Sequence, residues 1–212
     1  MFKDRTAAGK VLANKLTSTF CDAICLLAVP RGGVVVAAPI AQQFKTNLGL
    51  LITRKIGHPL NSEVAIGAVM PDGSAVWDQS ILERFHVSQD QLKQLIQEEY
   101  DEIKRRLLAY TGTTEPPEVL NRTVLIIDDG IATGYTIRAA VQWLKTLHPA
   151  KIVIAVPVAP PDVIEELALE ADTVICPFQP DDFRAVGMYY ERFFQTTDNE
   201  VLQILQDINK DL

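Results

Sequence analysis

Val124-Leu125-Ile126-Ile127-Asp128-Asp129-Gly130-Ile131-Ala132-Thr133-Gly134-Tyr135-Thr136 is the stretch on which the reading of this chain turns. Four apolar residues, three of them β-branched, predict a buried parallel strand. Two adjacent carboxylates end it, and Ile137, Ala140, Val141, Leu144 and Leu147 follow at helical spacing. In open α/β sheets, ligands bind just beyond the carboxyl ends of the strands. A helix start adds free N–H groups and the positive end of a dipole, which favour a phosphate. Asp128 and Asp129 can accept hydrogen bonds from sugar hydroxyls, and Thr133, Gly134 and Thr136 fall at the helix start. A phosphorylated ribose suits both halves of the loop.

Outward from this segment the pattern repeats. Residues 24–29 read as a buried strand ending at Pro30, 36–44 as a helix with Pro39 in its first turn or at a kink, and 48–53 as a second strand. The three make a right-handed βαβ unit. Residues 3–18 carry Ala8, Val11, Leu12, Lys15 and Leu16 at helical spacing. Beyond the motif come a strand at 152–156, a helix at 161–169, a strand at 173–176 and a terminal helix at 200–208. The fold class is α/β, an open, mostly parallel twisted sheet with helices on both faces.

Residues 54–78 differ. Gly57, Pro59, Gly67, Pro71 and Gly73 punctuate short apolar runs at 64–70 and 74–77, which predicts a flap hairpin around a Pro-Asp-Gly turn. Ser88-Gln89-Asp90-Gln91 has the form of a capping box. Leu92, Leu95, Ile96, Ile103, Leu107 and Tyr110 then form the apolar stripe of a long helix that Gly112 stops. Its charged face reads as solvated. The chain is expected to be one domain over 1–212, with a flexible hairpin at 54–78 and a helical insertion at 79–112. The insertion and the termini build a hood.

Composition narrows the function. A net charge of −7 excludes a general nucleic-acid or anionic-membrane surface, which needs a basic field. Cys21, Cys25 and Cys176 are too few and too scattered for a disulfide framework or a zinc site, and read as buried, inert thiols. His58, His86 and His148 have no partner at ligand spacing. The chain opens without a signal-peptide core, and Pro30-Arg31-Gly32-Gly33 interrupts the longest apolar run, 23–41. A cytoplasmic location is expected.

Strand, acidic pair, short spacer and Thr-Gly-x-Thr together resemble the phosphoribosyl-diphosphate (PRPP) loop of the type I phosphoribosyltransferases. Arg54-Lys55-x-Gly-x-Pro, Glu63-x-Ala-Ile-Gly-Ala-Val, the segment Asp128–Gly134 and the late Val186-Gly-x-Tyr-Tyr resemble an uncharacterised bacterial subgroup of that family, over nearly the whole chain. The resemblance implies a transferase moving ribose 5-phosphate from PRPP to a nitrogenous acceptor with release of pyrophosphate. It implies that Asp128 and Asp129 hold the ribose hydroxyls, and that Ala132, Thr133, Gly134, Tyr135 and Thr136 wrap the 5′-phosphate. Arg31, Gly32 and Gly33 would form the pyrophosphate loop, with a cis peptide at Pro30–Arg31. Arg54 and Lys55 would neutralise the departing pyrophosphate, and alternation along an extended segment lets one of the two reach it. Mg²⁺ would travel with PRPP, with no direct protein ligand and with water bridges to Asp128 and Asp129. A homodimer is the family habit, with the helix of 88–110 as the contact.

Ala132 stands where hypoxanthine-guanine enzymes of the family place an Asp, so an acceptor handled through that Asp is not expected. Phe178, Phe183, Tyr189 and Tyr190 are candidates for stacking on a base, although packing is the commoner use of such aromatics. As neighbouring exposed carboxylates, Asp128 and Asp129 should tolerate replacement by Asn with little loss of stability. Two rival readings are a PRPP-binding regulator without turnover and a receiver-like phosphoacceptor. The Thr-Gly-x-Thr directly after the carboxylates counts against the latter.

Overall fold

The apolar runs become strands, and their order fixes where a ligand can sit. The computed structural model describes residues 1–17, 24–58, 61–77 and 87–210, with backbone only at 17 and 61–65. The predicted Cys21, His86 and the start of the insertion fall outside them. Strands β1 (Ile24–Ala28), β2 (Leu48–Leu50), β3 (Arg54–His58), β4 (Asn61–Val69), β5 (Ala75–Trp77), β6 (Thr123–Ile127), β7 (Lys151–Ala155) and β8 (Thr173–Ile175) are interspersed with helices, β2 to β5 running in succession. The helices are α1 (Arg5–Thr17), α2 (Gly32–Phe44), α3 (Gln89–Thr111), α4 (Tyr135–Thr146), α5 (Pro161–Ala168) and α6 (Asp198–Lys210). The chain falls into two compact units, Met1–Leu51 with Pro117–Gly134 and Leu144–Leu212, and Ile52–Pro116 with Tyr135–Trp143.

The first unit holds a five-stranded sheet of order β2-β1-β6-β7-β8, every pair parallel. Every residue of β1 is buried, as are Val124–Ile127 of β6 and the last four residues of β7, as parallel strands covered on both faces require. From β1 the chain winds outward to β2, and from β6 outward to β7. The order therefore reverses between β1 and β6, and a crevice opens beyond the carboxyl ends of those two strands. Asn209 of α6 closes the β2 edge, accepting from Leu48 N at 2.9 Å and donating to Leu48 O at 3.2 Å.

Several boundaries differ from expectation. Helix α2 begins at Gly32, four residues early, and Pro39 lies in its interior. Proline has no N–H to give Val35 O, so one helical bond is missing there. Gly9 of α1 packs at the same place, where an added Cβ would overlap Val36 O and lie 3.1 Å from Pro39 Cγ. On α1 itself Ala8, Leu12, Ala13 and Leu16 are buried, whereas Val11 and Lys15 are exposed. Strand β2 stops at Leu50, although Leu51 N still donates to Ala28 O at 2.9 Å.

In the second unit the flap is a three-stranded antiparallel sheet, β3-β4-β5. Gly73 occupies the turn with φ +83° and donates to Met70 O. The capping box of α3 is complete, Gln91 N donating to Ser88 Oγ and Ser88 N to Gln91 Oε1. Gly112 ends the helix in the left-handed region at φ +73°. The charged face of α3 is laddered as well as solvated. Arg105 and Arg106 both bond Glu102 and hold its carboxyl down at about 2. Among the described residues no helix is long and apolar enough to cross a membrane.

Candidate active site

Both sides of the crevice are built from short turns that leave the sheet. At the end of β1 the chain turns through a cis peptide at Pro30–Arg31 and enters α2 at once. Val29 N donates to Ile127 O at 2.8 Å, which ties this turn to the end of β6. Gly33 lies so close that an added Cβ would meet Ile127 O at 2.8 Å and Asp128 Cα at 3.0 Å. A Cβ on Gly32 would overlap Asp129 Oδ2. The two glycines thus let the start of α2 pack directly on the acidic pair. The Arg31 side chain is about one-third exposed and reaches Asp198 at 3.5 Å.

The two carboxylates are not equivalent. Asp128 Oδ1 accepts from Asp129 N at 2.8 Å. Burial first, and the adjacent Asp129 charge second, push the Asp128 carboxyl well above the usual carboxylate range. Asp129 Oδ2 accepts from Arg5 Nε at 2.7 Å, with side chains only 11% (Arg5) and 17% (Asp129) exposed. The expectation of two similar, exposed carboxylates therefore gives way to a half-buried acid with a raised carboxyl beside an ion pair. The backbone of the same residue is held by a phenol, Tyr190 OH donating to Asp129 O at 2.5 Å. Burial, then the Asp129 charge, raise the Tyr190 phenol far above its ordinary value, so it stays a donor.

Arg5 is the residue that sequence reasoning missed here, whereas Tyr190, expected as a stacking candidate, serves instead as this backbone anchor. They are joined by a zipper between the ends of the chain. Phe2 N donates to Tyr189 O, Glu191 N to Phe2 O and Arg192 N to Lys3 O, at 2.8, 2.9 and 3.0 Å. One signal was available. Arg5 stands in line with Ala8, Leu12 and Leu16, a cation on the apolar face of its helix.

After the acidic pair the chain stays open. Ile131 N is tied to Val158 O at 3.0 Å, but Ala132, Thr133 and Tyr135 are exposed. Gly134 is the N-cap of α4, at φ +69°, and no side chain caps the helix. A Thr-capped structural helix would have used a hydroxyl there. The first N–H groups of a helix lack intrahelical acceptors, and the positive end of its dipole favours an anion.

Beside Ala132 lies a cavity of about 460 Å³ lined by Pro160, Pro161, Asp162, Val163, Asp181 and Phe183. Of the predicted stacking aromatics, Phe183 alone among the lining residues faces it. Tyr189 stacks on Phe183 with ring centres 5.4 Å apart, Phe178 meets Tyr189 edge-on, and Tyr190 is buried on Phe2.

The model of the phosphoribosyl transferase domain matches residues 5–190. The chain belongs to the phosphoribosyl transferase family. A Mycobacterium tuberculosis protein provisionally named a phosphoribosyl transferase is 35% identical over the whole chain. The chain spans about half, 48%, of that relative. The crystal structure of TT1426 from Thermus thermophilus superposes with a TM-score of 0.83 at 36% identity, covering 97% of this chain and 98% of that one. AQ2163 from Aquifex aeolicus, 14% identical, shares the fold at a TM-score of 0.50 over 84% of this chain and 77% of its own. The α/β architecture is thus one that the chain shares with both solved structures.

In the second unit the basic pair separates by strand alternation. Arg54 shares a face of β3 with buried Ile56 and His58, and its Nε donates to Glu99 Oε2 at 2.6 Å. Lys55 points the other way and is exposed. The side chain of Glu63 lies outside the described residues. Cys25 is buried, and burial raises its thiol; burial likewise pushes the half-buried Cys176 up to about 11. Both fit inert thiols.

Proposed function

We propose that the chain transfers ribose 5-phosphate from PRPP to a nitrogenous acceptor and releases pyrophosphate. The observation that carries this reading is the acidic pair at the end of β6, backed by the Gly32-Gly33 helix start and followed by an uncapped helix. In the reaction the C1′–oxygen bond breaks and pyrophosphate leaves with the electron pair. The acceptor nitrogen forms the new bond to C1′ and loses its proton. The ribose gains positive charge as this happens, so orientation and a fixed negative field matter more than a strong nucleophile. Asp128 and Asp129 accept from the 2′- and 3′-hydroxyls, and the N–H groups from Ala132 to Thr136 receive the 5′-phosphate.

Among the described residues no group of three or more His, Cys, Asp or Glu could cage a metal. Two adjacent carboxylates do suit a Mg²⁺ that keeps its waters and arrives on a diphosphate, the usual habit of this ion. Asp128 and Asp129 would then hold Mg²⁺ through water, and the ion would neutralise pyrophosphate charge. The cavity beside Ala132 is the place for the acceptor, with Phe183 offering a ring face.

Lys55 is the better partner for the departing pyrophosphate, because Arg54 is engaged by Glu99. Lys55→Met should weaken PRPP–Mg²⁺ binding about tenfold, the worth of one charge-assisted contact. Arg54→Met should change it less than about threefold while costing about 1 kcal/mol of stability. The reverse order in titration calorimetry would exchange their roles.

The test of the whole reading is calorimetry with PRPP–Mg²⁺, followed by an acceptor screen that detects released pyrophosphate. Binding with release supports the transferase. Binding without release from any acceptor favours a PRPP-responsive regulator, and absence of binding refutes both.

A further inference from the structure

A cation on the buried face of a helix must be held by something. Arg5 is held on three sides. Its Nε donates to Asp129 Oδ2 at 2.7 Å, and Nη1 donates to Phe194 O at 2.7 Å. Its guanidinium carbon lies 3.8 Å from the centre of the Phe193 ring. Gly32 lines the same spot, because a Cβ there would lie 2.8 Å from Arg5 Nε.

We propose that Arg5 is a positioning residue for the ribose site. Resting on the PRPP reading above, it holds the carboxylate of Asp129 in one orientation for a sugar hydroxyl. Tyr190 holds the backbone carbonyl of the same residue, so backbone and side chain are anchored independently. A carboxylate fixed before the ligand arrives loses no rotamer freedom on binding. Arg5 is not a movable latch that competes with the sugar. Releasing it would break two hydrogen bonds and a ring contact in a side chain that is 11% exposed.

A merely structural ion pair and a positioning one differ in which ligand feels its loss. Ribose 5-phosphate needs both the acidic pair and the helix start, whereas inorganic phosphate needs the helix start alone. Arg5→Gln should weaken ribose 5-phosphate about tenfold or more and leave inorganic phosphate within about twofold. Arg5→Lys should recover part of the loss, since it restores charge without the planar fork. Equal loss for both ligands, or no loss for either, overturns the proposal.

Should Arg5→Gln fail to fold, Phe193→Leu keeps both hydrogen bonds of Arg5 and loosens the ring support, together with the contact of that ring to Tyr190. It should cost about threefold on ribose 5-phosphate alone, and an equal effect on phosphate or none overturns the proposal as well. Failure of the unmodified protein to bind either ligand refutes the ribose site itself, and Arg5's role with it, before any variant is made. An indifferent variant beside a binding parent refutes Arg5 alone.

Discussion

Asp128→Asn should raise the melting temperature at neutral pH while Asp129→Asn lowers it, and each should cost PRPP binding about tenfold to a hundredfold. The opposite signs follow from the two environments. The folded protein holds the Asp128 proton more tightly than the unfolded chain does, owing first to burial and then to the Asp129 charge. Stability is therefore highest below the unfolded carboxylate value of about 4. It falls as pH rises from there through the raised folded value, because the unfolded chain ionises first. An amide at 128 removes that loss, so the gain in melting temperature should grow with pH across this window and vanish below it. At 129 an amide instead strands Arg5, a charge only 11% exposed. Breaking a well-buried pair costs about 3–5 kcal/mol, and the remaining Phe194 O contact lowers that to about 2–3 kcal/mol. For a chain of this size the melting temperature should fall by roughly 5–10 °C. PRPP binding shares the ionisation of Asp128. It should weaken as pH falls through a value above the ordinary carboxylate range. Melting curves at several pH values and calorimetry with PRPP–Mg²⁺ decide the matter. Equal stability effects at 128 and 129 would contradict the asymmetry.

What the chain reveals before folding depends on the distance over which its residues act. The cores of β1, β6 and β7 are legible because five-residue apolar strands buried on both faces carry their own pattern. The capping box of α3 and the left-handed Gly112 are legible because each is a local device. The start of α2 is not. Gly32-Gly33-Val34-Val35 combines the poorest helix former after proline with two β-branched residues. Packing on Ile127 and the acidic pair overrides that preference. The loop from Asp128 to Thr136 could be found, but its inequality could not. Arg5 and Asp129 are 124 residues apart, and Tyr190 lies 61 beyond Asp129. No window of sequence contains those partners. The only trace was a cation in an apolar stripe, which reads equally as a solvated helix end.

Gly32→Ala should abolish high-affinity PRPP binding, with a loss of about a hundredfold, although it adds one methyl group and removes no functional side chain. Backbone strain is not the cause, since Gly32 is absent from the residues with positive φ. Space is the cause. The methyl would overlap Asp129 Oδ2 and lie 2.5 Å from its Cγ and 2.8 Å from Arg5 Nε. None of these atoms is the loose end of a flexible chain. The carboxylate is tied to Arg5, and Arg5 to Phe194 O and the Phe193 ring. The start of α2 cannot easily retreat, because Gly33 N bonds Val29 O and Gly33 itself packs on Ile127 O. The Asp129 carboxylate must turn away, which removes the sugar's acceptor, at an overpacking cost of about 1–3 kcal/mol. Gly112→Ala is the informative contrast. Its Cβ would meet nothing within 4 Å, but its φ is +73°. That variant should lose about 1 kcal/mol of stability and keep PRPP binding. Wild-type affinity in Gly32→Ala would mean that the sugar does not depend on Asp129 being held where the protein holds it.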